Sequence, residues 1–337
     1  MLGSNKHARS RRTPDTLPAE TTLGTASNLG LPLPLSILVN RNALKRRSRQ
    51  FHSIVCNSLL PDKSLIDLGD GVFISSPELC FVQMASELPL IKLIMLGFEL
   101  CGTYSLSGFA GTNNTYVYKN SGVDGNRDAA GTEGATGAAA IAASATLTTS
   151  ALSGFYSRPQ LTSVSKLSAF VDRMEGADGV KNARKALNYI ADGSASPMET
   201  ILVMLMILPY RLGGYGLPVP ELNSRITPVK EIRSNSSKSF YSCDLLWRDA
   251  NLAVEYDSNQ YHTGAERIAS DSKRRNVLNA IGITVYTVTS KQIYSYKELE
   301  KVAKLLAIRL GKRLRYENTM FMLKQSNLRS ILFSVTG

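Results

Sequence analysis

Asp244, Glu255, Asp257 and His262 lie close together in a stretch that is otherwise apolar and aromatic. Two short runs, Cys243-Asp244-Leu245-Leu246-Trp247 and Leu252-Ala253-Val254-Glu255-Tyr256-Asp257, flank Arg248-Asp249-Ala250-Asn251. That pattern predicts an antiparallel hairpin. Side chains alternate along a strand, so Glu255 and Asp257 share one face. Pairing that brings Asp244 alongside them makes three carboxylates converge. Such a cluster is costly without a neutralising cation, and an all-oxygen donor set suits Mg²⁺ or Mn²⁺. Asp244, Glu255 and Asp257 are therefore candidate metal ligands and catalytic groups. His262, one of only 3 histidines in the chain, is a candidate acid or base beside them.

The elements that must hold these residues are legible on either side. Ser196-Pro197-Met198-Glu199 precedes the apolar run Ile201 to Leu208 and predicts a helix start. Glu199 is a fourth candidate acid. It also has a plain structural explanation, since Ser at the N-cap and Glu at the third helical position form a capping box. Beyond the Gly213-Gly214-Tyr215-Gly216 turn, the sequence predicts a strand from Ile226 to Ile232 and then the hairpin. A helix over Ala265–Ile281, a strand over Ile283–Val288 and a helix over Tyr296–Leu310 follow. Helix, three strands, helix, strand, helix gives an α/β arrangement, a mixed sheet flanked by helices, over 194–312. Residues 313–337 form a C-terminal extension.

Residues 35–193 read as a mainly helical N-terminal module. Leu65–Leu68 and Val72–Ile74, around Gly69-Asp70-Gly71, predict a hairpin. Ser76-Pro77-Glu78 starts a helix, and a second runs from Pro89 to Leu100, where Leu90, Ile91, Ile94 and Phe98 repeat at helical spacing. Val164, Leu167, Phe170, Val171 and Met174 make a third stripe. Val180, Ala183, Leu187 and Ile190 make a fourth, stopped by Gly193. Residues 1–34, rich in Ser, Thr, Pro, Gly and Arg, are expected to be a disordered tail. Residues 109–153, dominated by Gly, Ala, Ser, Thr and Asn, are expected to be a flexible insertion for want of an apolar face.

The chain has 337 residues, enough for two cores, and carries a formal charge of +12. Its pI is near 9.5. A basic balance fits a polyanionic partner. Lys273-Arg274-Arg275 lies near the acids, and Arg41, Lys45, Arg46, Arg47 and Arg49 form another cluster, which reads as a solvated charge run ahead of a phosphate contact. The longest apolar run, Ile201 to Leu208, is too short to cross a bilayer. The basic start lacks the apolar core of a secretory leader. Cys56, Cys80, Cys101 and Cys243 have neither metal-type spacing nor the density of a disulfide scaffold. A reducing cytoplasm is the expected setting.

Asp244, ten residues, Glu255-x-Asp257, His262, Asp271-x-x-Arg274-x-x-x-Leu278 and Gly282 before a strand form an ordered set. Together with Ser196-Pro197-Met198-Glu199 and Gly216-Leu217-Pro218, it resembles endonuclease-like proteins related to the very-short-patch-repair endonucleases. These belong to the PD-(D/E)XK nuclease superfamily. Residues 72–104 look like the N-terminal region of abortive-infection antitoxin-like proteins. The resemblance implies a restriction-endonuclease-like core and hydrolysis of a nucleic-acid phosphodiester in defence or repair, with double-stranded DNA as the expected partner. Asp244 and Glu255 would hold Mg²⁺, Glu199 would assist from its helix, and Lys273, Arg274 and Arg275 would meet the nucleic acid. One position departs from the pattern. The lysine usual two residues past the second acid is Asp257 here, and an aspartate cannot stabilise developing negative charge; His262 is the replacement acid or base. Asp271 and Arg274, one helical turn apart, read equally as a surface ion pair or a phosphate clamp. Three readings stay open: a metal-dependent endonuclease, a nuclease fold that binds nucleic acid without turnover, and an antitoxin-like regulator whose N-terminal module binds DNA or a protein.

Overall fold

The computed structural model describes residues 35–45, 49–56, 58–69, 72–106, 155–227, 240–257, 265–314 and 319–334, with the backbone alone for Tyr156 and residues 265–271. The tail over 1–34, the insertion over 109–153 and His262 lie outside the described residues.

Short paired strands open the chain. Leu35–Val39 (β1) and Phe51–Val55 (β2) run parallel, a pairing that the sequence pattern does not foreshadow. Leu65–Gly69 (β3) and Val72–Ser75 (β4) form the expected hairpin, with a register irregularity between Asp67 and Gly69. Ser76 then caps helix Pro77–Glu87 (α1), its hydroxyl accepting the Leu79 N–H. Leu90–Leu100 (α2) follows. Tyr104–Leu106 (β5) and Phe155–Ser157 (β6) pair antiparallel at the two sides of the undescribed segment. Val164–Arg173 (α3) and Val180–Leu187 (α4) carry their stripes inward through Leu167, Phe170, Val171, Val180, Ala183 and Ala186.

Pro197–Ile207 (α5) is buried on every side from Glu199 to Ile207. A helix apolar all round belongs in an interior, between other layers. One continuous core runs from α1 to α4 through α5 to one face of the following sheet, and it crosses residue 193 without a break.

That sheet has four strands, Glu221–Ile226 (β7), Tyr241–Trp247 (β8), Leu252–Asp257 (β9) and Thr284–Thr289 (β10), in spatial order β10-β9-β8-β7. β7, β8 and β9 run antiparallel, while β9 and β10 are parallel and joined through helix Ala265–Ala280 (α6). The result is the mixed sheet flanked by helices expected from the sequence: an α/β fold. Leu245, Trp247, Leu252, Val254 and Val288 face the main core. Cys243, Leu246, Ala253 and Ile283 pack with Leu278 of α6 on the other face. β7 lies earlier than its predicted span of Ile226–Ile232. Pro228 has no N–H to give a ladder, and the pairing ends at Ile226 opposite Tyr241. Residues 228–239 lie outside the described residues.

After β10 come Ser290–Tyr294 (α7), with a closed capping box between Thr289 and Gln292, and Tyr296–Arg309 (α8). Thr319–Phe333 (α9) is a further helix within the expected C-terminal extension. Among the described residues no helix is long and apolar enough to cross a membrane.

Arg329 pins α9 in place. It is 4% exposed. Its guanidinium donates to the carbonyls of Ile293 and Tyr294 and lies over the rings of Tyr296 and Phe333. Arg329→Ala strands two carbonyls and two ring faces. It should cost on the order of 2–4 kcal/mol, given the penalty for unpaired buried polar groups and the worth of cation–ring contacts. Urea unfolding measures this, and a loss below about 1 kcal/mol would mean that α9 is held by its apolar contacts alone.

Candidate functional site

The site is assembled where β8 and β9 part. Their paired register runs Trp247–Leu252, Leu246–Ala253, Leu245–Val254 and then stops, although both strands continue. At the next position the Asp244 carboxylate accepts the Tyr256 N–H at 2.7 Å, standing in for a backbone carbonyl. The side-chain alternation also changes here. Leu245 and Trp247 face the main core, whereas Cys243 packs on the α6 side together with Leu246. A strand that alternates by strict period two cannot do this, so β8 is irregular beside Asp244.

β7 adds a second irregularity on the other side of Asp244. Leu222 pairs with Leu245 and Ser224 with Cys243, and between them Asn223 takes φ +47°. Asparagine tolerates this left-handed geometry better than most residues with a side chain. Its amide donates to the Gly193 carbonyl at 2.9 Å and to Glu199 Oε2 at 2.8 Å. Asn223 thus joins the sheet to the start of α5.

Glu199 is fully engaged. Its N–H donates to the Ser196 hydroxyl, which donates in turn to Oε1. Oε2 accepts from the Ala195 N–H at 3.0 Å as well as from Asn223. The capping box is therefore modified: the glutamate reaches one residue past the N-cap instead of closing on it. Burial nevertheless pushes the Glu199 carboxyl up, and the negative charge of Asp244 adds to this.

Glu255 meets Arg274 of α6, with Nη2 2.5 Å from Oε1. The same nitrogen donates to the Ser242 carbonyl, and the Cys243 thiol donates to the Glu255 carboxylate. Burial carries Glu255 up to about 7 despite the guanidinium, with Asp244 contributing repulsion. The Cys243 thiol is pushed to about 12, by burial first and by Glu255 next. Burial also raises Asp244, against the pull of the Tyr256 N–H and Arg274.

The hairpin thus links Asp244 to Glu255, and Asn223 brings Glu199 behind them. Asp257 stands at the end of β9 opposite Thr289, on Glu255's face by alternation, and its charge is felt at the Tyr256 hydroxyl. Among the described residues no three His, Cys, Asp or Glu side chains are gathered as a metal cage. What the fold presents is Asp244 repelling both Glu255 and Glu199 electrostatically, with Asp257 further along β9. Arg274 points into this group, whereas Lys273 and Arg275 are exposed on α6, the latter reaching Thr287. The side chain of Asp271 lies outside the described residues. Sequence reasoning missed Asn223, although an asparagine amid a strand is itself a signal. It also missed Cys243 as a donor to Glu255.

Two carboxylates suffice for Mg²⁺ or Mn²⁺, which retain several waters when bound. Asp244 and Glu255 are two neighbouring acids of the kind such an ion takes, Glu255 bonded to Arg274 and Asp244 under its electrostatic pull. A carboxyl with a pKa near 7 is equally suited to hold or release a proton at neutral pH.

A raised folded-state pKa means that the native protein binds the proton more tightly than the unfolded chain does. For Glu255 the resulting stability is complete below its ordinary value near 4.5 and is lost as pH rises through about 7. Metal-free protein should therefore gain on the order of 1–2 kcal/mol from pH 7.5 to pH 5, a gain removed by Glu255→Gln. Denaturant melts at the two pH values test this. Equal pH dependence in both proteins would place the excess protons elsewhere.

The chain aligns over 125 residues, at 30% identity, with the uncharacterized protein Rv2248 of Mycobacterium tuberculosis strain H37Rv. The same holds for the uncharacterized protein MT2308 of strain CDC 1551. The match takes in 37% of this chain and 41% of each relative, so the chain spans about two fifths of the relatives it matches. No protein-family profile and no solved structure matches it.

Proposed function

We propose that this chain is a metal-dependent nuclease that hydrolyses DNA phosphodiester bonds, a PD-(D/E)XK-type enzyme of the very-short-patch-repair-related group. The observation that carries this reading is the Asp244–Glu255 pair at the parting of β8 and β9, half-buried, raised in pKa and backed by the buried Glu199. The +12 charge and the exposed Lys273 and Arg275 beside that pair support a polyanionic substrate.

In this reading Asp244 and Glu255 hold Mg²⁺ or Mn²⁺. Once bound, the ion acidifies a water and screens the charge of the attacked phosphate. The other roles belong to the chain. The Tyr256 N–H fixes one Asp244 oxygen, so that carboxylate is aimed by the backbone. Glu199 spends its oxygens on Ala195, Ser196 and Asn223, which makes it a positioning group that ties β7 to α5. Glu255 can exchange a proton near neutral pH. His262 remains the sequence-derived candidate for a further proton transfer.

One observation favours a second reading, a nuclease fold that binds nucleic acid without turnover. Glu255 is already neutralised by Arg274, and Asp257 occupies the place of the superfamily's lysine.

Supercoiled plasmid incubated with Mg²⁺ or Mn²⁺ separates the two. The enzyme reading expects nicking that Asp244→Asn and Glu255→Gln each reduce by about a hundredfold or more, the range in which essential metal ligands and proton-transfer groups fall. Duplex binding should persist in both variants and weaken steeply with salt, because phosphate contacts release counterions. Wild-type inactivity on DNA and RNA with both metals, together with activity gained by Asp257→Lys, would establish the binder instead.

A further inference from the structure

Arg274 is bonded directly to one of the acids, and its resting position is an uneasy one. The guanidinium serves Glu255 Oε1 and the Ser242 carbonyl through the single nitrogen Nη2. Its Nε is buried with no hydrogen-bond partner. Arginine usually grips a carboxylate with two parallel N–H bonds, and a buried donor left unpaired calls for an explanation. Arg274 shares the inner face of α6 with Leu278, one turn on, which is buried in the sheet contact. Its chain neighbours Lys273 and Arg275 are exposed. Arg274 thus joins the acid group to the exposed basic surface of the same helix.

Resting on the nuclease reading, we infer that Arg274 is a displaceable counter-cation. It neutralises Glu255 while the site is empty, leaves when a divalent cation takes that carboxylate, and then meets the substrate phosphate in place of the lysine that Asp257 replaces. Two cations cannot share one Glu255 carboxylate without repelling each other, so guanidinium and metal compete for it. Competition lowers metal affinity in the free protein. In exchange it keeps the acids from facing each other uncompensated, and it supplies a mobile positive charge at the reacting phosphate, where arginine is well suited to the planar oxygens. Arg274 is on this account both the keeper of the empty site and its phosphate ligand.

The measurement is Mn²⁺ binding to the full chain by calorimetry, with no nucleic acid present. Arg274→Gln should bind Mn²⁺ about tenfold more tightly than wild type, the factor expected when one competing ion pair is removed, while DNA cleavage falls. Arg274→Lys keeps the charge with a less suited head and should lie between the two. It also supplies the answer if the glutamine variant does not fold. Unchanged or weaker Mn²⁺ affinity in the folded variants overturns the inference while leaving a metal site intact. Mn²⁺ binding no stronger in wild type than in Glu255→Gln removes the metal site, and with it both this inference and the nuclease reading.

Discussion

Burying carboxylates near one another is the constraint around which this structure is arranged. Glu199, Asp244 and Glu255 all have their pKa values raised, and in each case burial is the largest cause. An uncompensated charge in such a place would neutralise itself or unfold its surroundings. The chain meets the problem three ways. Asp244 receives a backbone N–H, Glu199 receives the Ala195 N–H, a hydroxyl and an amide, and Glu255 receives a guanidinium and a thiol. Each device requires an element in a fixed place: a parted strand pair, a capped helix start and a covering helix.

The placement of α5 makes these devices mutually dependent. Its apolar body is enclosed by the N-terminal helices and the sheet, so its first turn cannot shift without disturbing both. A hydrogen-bonded line runs through that turn, from the Tyr104 hydroxyl to Thr200 at 3.0 Å and from Thr200 to Ser194 at 2.8 Å. Burial raises the Tyr104 phenol above its ordinary value, which keeps it a neutral partner in this line. Glu199 sits beside Thr200 at the same helix start. The N-terminal module is thereby part of the wall that holds the acid group.

What could be read from the sequence follows from which signals are local. The acidic hairpin was legible because alternation and an apolar background mark a strand by themselves, and β8 and β9 lie where that pattern puts them. The Ser-Pro starts of α1 and α5 were legible for the same reason, since capping involves neighbours within one turn. α9 was hidden by its own anchor. Phe321, Leu328 and Leu332 make an inward stripe that the buried Gln325 and Arg329 interrupt, so its apolar period looks broken. Asn223 and Cys243 matter through partners far along the chain, and no local pattern announces such partners.

Arg274 shows the same limit most clearly. By spacing alone it belonged with Lys273 and Arg275 as a phosphate contact, or with Asp271 as a surface pair. Its position is settled by the α6 face that turns Leu278 inward. That face brings the guanidinium to Glu255. A lysine two residues past Glu255 would project from β9 itself, on Glu255's own face. Arg274 reaches the same carboxylate from the helix that covers that face. Glu255 is thus compensated by a charge remote in sequence, while Asp257 closes β9 opposite Thr289.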